Sequence, residues 1–303
     1  MADAAATKLQ TRFLAGALFV LAGGLCWSFT GVFIRLAPHL DAWQFLLFRG
    51  LGVAVAFALL ARSRGGGATL AGFLALGPLG VVATFALSVA AIGFIVALKL
   101  TSVANALFLS SCAPLLSAIL GFLILGERLD GRQIGSVAVG FCGLAIIVGG
   151  GFEAGHIAGD VWGLACALAF AVVSVCMRLA PKRDFGPAMI GYGVCSALVA
   201  AGVAWSEGAT LAPPPLEALY AFAAGFLLMG LGFTLFLRGA PSVPAVGQTL
   251  LAQTETIFGP VWVWLAFGET PSAATLIGGA VIFAAVVAMA LSGAAAPAPN
   301  VSN

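Results

Sequence analysis

Charge is the scarcest thing in this chain. Of its 303 residues, 13 are Lys or Arg, 11 are Asp or Glu and 2 are His. Charged residues therefore make up 8%, against about 25% in an ordinary soluble domain. Each shortage excludes something. The two histidines, His39 and His156, lie in loops between apolar stretches, so serine catalysis inside a membrane would lack its base. No two aspartates fall within apolar stretches, which removes an aspartyl dyad, and no Gly-x-x-x-x-Gly-Lys phosphate loop exists for ATP-driven work. A net charge of +2, without a basic patch, gives nucleic acid nothing to hold. The six cysteines, Cys26, Cys112, Cys142, Cys166, Cys176 and Cys195, all sit in apolar stretches, where a small polarizable side chain packs; no disulfide framework, metal site or cofactor is implied.

What is present is apolar. Hydrophobic residues reach 62% and mean hydropathy is +1.13. In hydrocarbon a bare amide has no partner, so spanning pieces must satisfy their own backbone, and each helical crossing needs about 20 apolar residues. Ten such pieces can be read, over 12–34, 42–61, 70–98, 102–125, 132–149, 159–180, 186–206, 216–238, 242–267 and 271–292. They are continuously apolar rather than alternating, which disfavours a barrel. The first follows Lys8 and Arg12 but runs from Phe13 to Ile34, too long for the apolar core of a signal peptide. Connections are short and rich in Gly and Pro, leaving no room for a soluble domain, and residues 294–303 carry the composition of a disordered tail.

The chain also matches itself. Arg35-Leu36-Ala37-Pro38 recurs as Arg178-Leu179-Ala180-Pro181, and Gly126-Glu127 recurs as Gly268-Glu269, at nearly the same offset. Two repeats follow, over 1–150 and 151–293. With the N-terminus in the cytoplasm, 10 of the 13 Lys and Arg fall in cytoplasmic segments, as the positive-inside rule requires. Both termini are then cytoplasmic, and Trp43, Trp162 and Trp205 fall at outer helix ends, where headgroups favour indoles. Five helices per repeat is odd, so the second copy enters from the opposite face. The expected fold is an all-α polytopic membrane protein, two inverted five-helix repeats around a central cavity, with the substrate near the midplane.

Trp27-Ser28 in the first stretch, Arg49 in the second, Pro114 followed by Leu125-Gly126-Glu127 in the fourth, and Phe267-Gly268-Glu269 closing the ninth resemble the drug/metabolite transporter superfamily in its EamA-type branch. Within it the chain looks most like bacterial aromatic-amino-acid exporters of the YddG type. The resemblance implies an inner-membrane carrier whose cavity is lined by helices one, three and four and their counterparts six, eight and nine. Where the first half has Trp27, the second has Phe170.

Glu255 is the one acid deep in a stretch, where a charge costs about 2.5–3.5 kcal/mol on insertion scales. Its functional reading is a site for a substrate ammonium, or for a proton if export is proton-coupled; its structural reading is a buried partner of a hydroxyl or of Arg49. Arg49 lies roughly 10 Å inside its helix at 1.5 Å per residue, so snorkelling to the outer interface is favoured over clamping a carboxylate. Polar candidates for the cavity are Trp27, Ser28, Ser88, Asn105, Ser111, Ser174, Gln248 and Gln253, many of which can instead bond between helices. Phe85, Phe108, Phe170, Met229 and Phe233 are candidates for an apolar wall, and Pro114 and Pro260 for hinges in helices four and nine. Glu127 and Glu269 read as caps or loop anchors. The expected function is export of aromatic and other neutral amino acids by alternating access, by a monomer or homodimer in the bilayer. Export of another small metabolite or drug, such as a nucleoside or cationic compound, and passive facilitation remain as alternatives.

Overall fold

In a computed structural model, residues 2–63, 69–100, 109–148, 157–268 and 273–292 are described. Asn105, Phe108 and Glu269 lie outside them. Among the described residues there are helices and no strands: α1 (Ala2–Ser28), α2 (Thr30–Arg35), α3 (Ala42–Ser63), α4 (Thr69–Leu76), α5 (Pro78–Leu100), α6 (Ala113–Leu125) and α7 (Gly131–Val148) in the first half. The second half holds α8 (Ile157–Leu179), α9 (Gly186–Ser206), α10 (Pro215–Ala223), α11 (Gly230–Gly239), α12 (Ala245–Ala252), α13 (Thr254–Phe267) and α14 (Ala273–Leu291). A π-helical segment, Ala224–Met229, joins α10 to α11.

Six helical spans are long and apolar enough to cross a membrane. The fifth and tenth stretches appear as shorter apolar helices. Other stretches that read as continuous are broken: the first turns at Phe29, the third at Gly77, and the ninth at Gln253. Pro260 does not make that last break. It lies inside unbroken α13, while Pro114 sits in the first turn of α6, where a missing N–H costs nothing, just after a turn at Ser111-Cys112.

The halves pack on each other symmetrically. α3 lies along its repeat equivalent α9 and α7 along its equivalent α14, while α5 on α8 and α1 on α11 are one contact made twice, once by each half. A Cβ on Gly50 would stand 2.7 Å from the Gly193 carbonyl oxygen, and one on Gly193 would stand 2.6 Å from that of Gly50. This reciprocity between positions offset by the repeat length is what a pseudo-two-fold axis between α3 and α9 produces. Without a hydrophobic gain from helix association in lipid, close backbone approach supplies the packing. The core behind it gathers Phe13, Trp27, Met177, Tyr192, Phe236 and Leu250, whereas Leu18, Leu123 and Leu198 point outward, as a lipid-facing surface allows.

At the end opposite the Arg-rich loops, Trp162 and Trp205 are exposed as an interfacial belt would have them, but Trp43 is 4% exposed and belongs to a core cluster with Leu46, Leu47 and Ala200. Trp43 stands at a helix end, but its ring packs between helices instead of facing outward. At the same end His39 ties the turn before α3 to α10: its N–H donates to Glu217 Oε2 at 2.8 Å, and its Nδ1 lies 2.6 Å from Oε1.

Candidate functional site

The ninth stretch carries the clearest contrast in the molecule. All eight residues of α12 are buried, against α1, α6, α7, α8 and α14. In α13, which touches α1, α2 and α14, only Thr254 is buried. Glu255 stands at the first turn of α13, just past the break at Gln253, and its side chain is exposed. It is close enough for the charge of Arg49 to act on it and for its own charge to act on Cys166. It forms no hydrogen bond and no ion pair with the described residues.

Arg49 comes from α3, in the other half, and does not snorkel. Its guanidinium turns inward across the pseudo-two-fold axis: Nη2 lies 3.4 Å from the Tyr192 hydroxyl and 3.5 Å from Met229 Sδ, while Nε is buried without a partner. Tyr192 is the repeat equivalent of Arg49, so the axis puts the two together. The π-helical segment also forms the floor here, since a Cβ at Gly225 would overlap the Arg49 carbonyl oxygen at 1.9 Å. π-bulges recur where a side chain has to be re-aimed, and this one presents Met229 to the cation. Such weak contacts leave most of the guanidinium's five donors unused.

The two helix breaks also meet on the axis. Gln253 Nε2 donates to the Ser111 carbonyl at 3.4 Å, again between equivalent positions, and Thr256 donates to Gln253 Oε1 at 3.0 Å. Ser111, Gln253 and Phe170 are partly accessible. Ser111 and Gln253 line a small cleft with Pro114, Leu250 and Ile282, and Phe170 packs on Trp27 and Phe236.

Other expected site residues are used for packing. Trp27, 4% exposed, rests against Phe233 and Phe236 at ring distances of 4.8 and 5.4 Å and against Phe170 at 6.4 Å. Ser28 is buried, donates to the Leu25 carbonyl at 2.6 Å and accepts Trp262 Nε1 at 2.8 Å. Ser88 and Ser174 bond back to carbonyls one turn earlier, Thr84 and Phe170. Gln248 donates from Nε2 to the Ala240 and Val243 carbonyls at 2.8 and 3.0 Å, locking the turn into α12. Met229 and Phe233 are buried in the core. Phe85, 69% exposed, points away from the bundle and lies apart from the others.

Glu127 is an anchor, and a charged one. Arg178 Nε donates to its Oε1 at 2.6 Å, the Ala245 N–H donates to its Oε2 at 3.1 Å, and Arg178 Nη1 donates to the Pro241 carbonyl at 2.8 Å. Gly126, at φ +65°, ends α6 and swings Glu127 into this position. The inward turn of Arg49 and the pairing of Glu127 with Arg178 are not legible in either residue's own stretch. The signal for both was the offset: positions 49 and 192, like 35 and 178, are repeat equivalents.

An all-helical, two-repeat bundle holding unpaired opposite charges in its interior has the build of a secondary membrane transporter. The chain belongs to the EamA-like transporter family, whose model matches twice, over residues 14–149 and 157–291. A solved crystal structure of a protein with 20% sequence identity superposes with a TM-score of 0.78, covering 90% of this chain and 96% of its own; it is a likeness of fold. No curated protein matches the chain significantly.

Proposed function

We propose that the protein exports amino acids, aromatic and other neutral ones, by alternating access. The single observation that carries the reading is the Arg49–Glu255 arrangement: a cation from the first half and an anion from the second, close enough for their charges to act on each other and, among the described residues, not bonded to each other. An α-amino acid is a zwitterion that supplies the missing partners. Its carboxylate suits the unused donors of Arg49 beside the Tyr192 hydroxyl, and its ammonium suits Glu255. The aromatic flank of Phe170 suits an apolar side chain, and a dianionic substrate would leave Glu255 opposed to like charge. The reading carries with it ten membrane crossings in two inverted repeats, over 1–150 and 151–293, and both termini and the Arg-rich loops in the cytoplasm of an inner-membrane protein. An accessible carboxylate without a partner also suits a proton site, so proton coupling belongs to the same reading.

The test is uptake of labelled amino acids into proteoliposomes, with and without an imposed pH gradient, together with counterflow. Saturable, trans-stimulated flux of neutral amino acids is the expected result. Flux without trans-stimulation would make the protein a facilitator, and no amino-acid flux beside transport of nucleosides or cations would move the substrate class.

A further inference from the structure

A cavity of about 140 Å³ lies at the Arg-rich end, between α3, the turn after α8, and α11. Phe57, Leu60, Met177 and Leu237 wall it, and Ala180 and Pro181 of the second Arg-Leu-Ala-Pro stand at its edge. Its charged and hydroxyl groups are those of Arg183, Asp184, Thr234 and Arg238. An apolar cavity of about 150 Å³ admits benzene, so this one has room for one aromatic ring. α3 and α11 also carry residues of the Arg49 site. Phe57 stands two turns along α3 from Arg49, about 12 Å at 1.5 Å per residue.

Structural duties account for two of the cavity's three charges. Arg183 Nη1 donates to the Ala75 and Leu76 carbonyls at 3.0 and 2.9 Å, closing the end of α4. Asp184 Oδ1 accepts the Gly186 N–H at 2.8 Å, and its repeat equivalent Asp41 accepts those of Trp43 and Gln44 at 2.7 and 2.8 Å. This acid is a helix start that both halves share. Arg238 has no such duty: it is exposed in the last turn of α11 and, among the described residues, makes no hydrogen bond or ion pair. Its equivalent position in the first half is apolar, at Ile95 or Val96, so the repeated fold does not require a cation there.

We propose that this cavity is an entry site, separate from the Arg49–Glu255 site, where an aromatic amino acid lodges its ring against Phe57, Met177 and Leu237 with its carboxylate on Arg238. The proposal rests on the amino-acid reading above for its ligand, although the cavity itself asks only for a ring and a carboxylate. A guanidinium at the rim of an apolar pocket suits that pairing, because the ring leaves water while the carboxylate keeps a charge-assisted partner. On the topology proposed above the cavity faces the cytoplasm, the side from which an exporter loads. The carboxylate then passes from one guanidinium to a second, Arg49, about 12 Å further along α3.

The experiment uses the full chain in vesicles of defined orientation, with its six native cysteines replaced and Thr234→Cys introduced. Thr234 lines the cavity and its hydroxyl bonds within its own helix, to the Gly230 carbonyl at 2.7 Å, so the change is mild. An impermeant maleimide is applied from the Arg-rich face, with and without L-phenylalanine or phenylacetate, an aromatic carboxylate that lacks the ammonium. Both compounds are expected to slow labelling severalfold. Glu255→Gln is expected to keep this protection and Arg238→Gln to abolish it. Arg238→Gln is also expected to raise the half-saturating concentration for amino-acid flux by about fivefold at unchanged maximal rate, the scale of one exposed charge contact. Equal protection in Arg238→Gln, or no protection by either compound in the parent, overturns the entry site even where amino acids are carried. Protection by phenylacetate that requires Arg238, in a protein that carries no amino acid, overturns the amino-acid reading and leaves the entry site standing.

Discussion

α6 and α13 are repeat equivalents, and they live in different surroundings. α6 buries Ala113, Pro114, Ser117, Gly121 and Leu125; α13 buries Thr254 alone. Both end in a glycine of positive φ, +65° at Gly126 and +73° at Gly268. The local chemistry that stops the two helices is therefore shared; what differs is the start, Pro114 in α6 against Glu255 in α13, and the company each keeps. α6 packs on α8 and α12, while α13 is left beside α1, α2 and α14. Local sequence sets the element, and the state of the bundle sets its burial.

The contrast can be broken most severely on its buried side. Glu127→Gln leaves Arg178 buried beside a neutral partner, which costs about 3–5 kcal/mol when a buried pair is halved, and the purified protein is expected to lose thermal stability accordingly. Next, Leu125→Ala is expected to cost about 2 kcal/mol or more as a buried truncation, against less than about 0.5 kcal/mol for the exposed Phe267→Ala. Equal melting temperatures for the two would show that the two ends are packed alike. On the functional side, Glu255→Gln is expected to reduce amino-acid flux by roughly tenfold or more, the equivalent of losing a charge-assisted bond of about 1.5–3 kcal/mol, with the melting temperature unmoved because Glu255 bonds to none of the described residues. Unaltered flux would remove Glu255 from the site. The smallest effect is expected from Trp262→Phe, which deletes the bond from α13 to Ser28 and costs on the order of 0.6 kcal/mol; a loss several times larger would mean that α13 is held far more tightly than its exposure indicates.

Much of this was legible in the chain, and the part that was not has identifiable physical causes. The repeat, its offset and the depth of Glu255 follow from residue order alone. The facing of Phe85 does not: a helix that is apolar on every side has no stripe to separate lipid from core, so Phe85 and Phe233 look equivalent in sequence and lie on opposite sides of the wall. Ser88 and Ser174 were ambiguous for a related reason, since a hydroxyl can bond to its own helix as readily as to a substrate. Pro260 drew attention as a hinge, yet the ninth stretch breaks at Gln253, where it meets Ser111 across the axis. Arg49 was read as snorkelling because a long side chain near a helix end has that option. Only its neighbours in the second half, Tyr192 and Met229, decide that it turns inward.

Sequence by itself determined the solvent this chain lives in, its division into two halves and the positions where those halves stop being copies, because hydropathy, charge bias and offset are properties of residue order. Tertiary structure alone decided which of those positions meet, Arg49 with Tyr192 and Ser111 with Gln253, and which residues of α6 and α13 are buried. Both depend on where the pseudo-two-fold axis falls and on packing across the bundle, set at residue separations that no local pattern records.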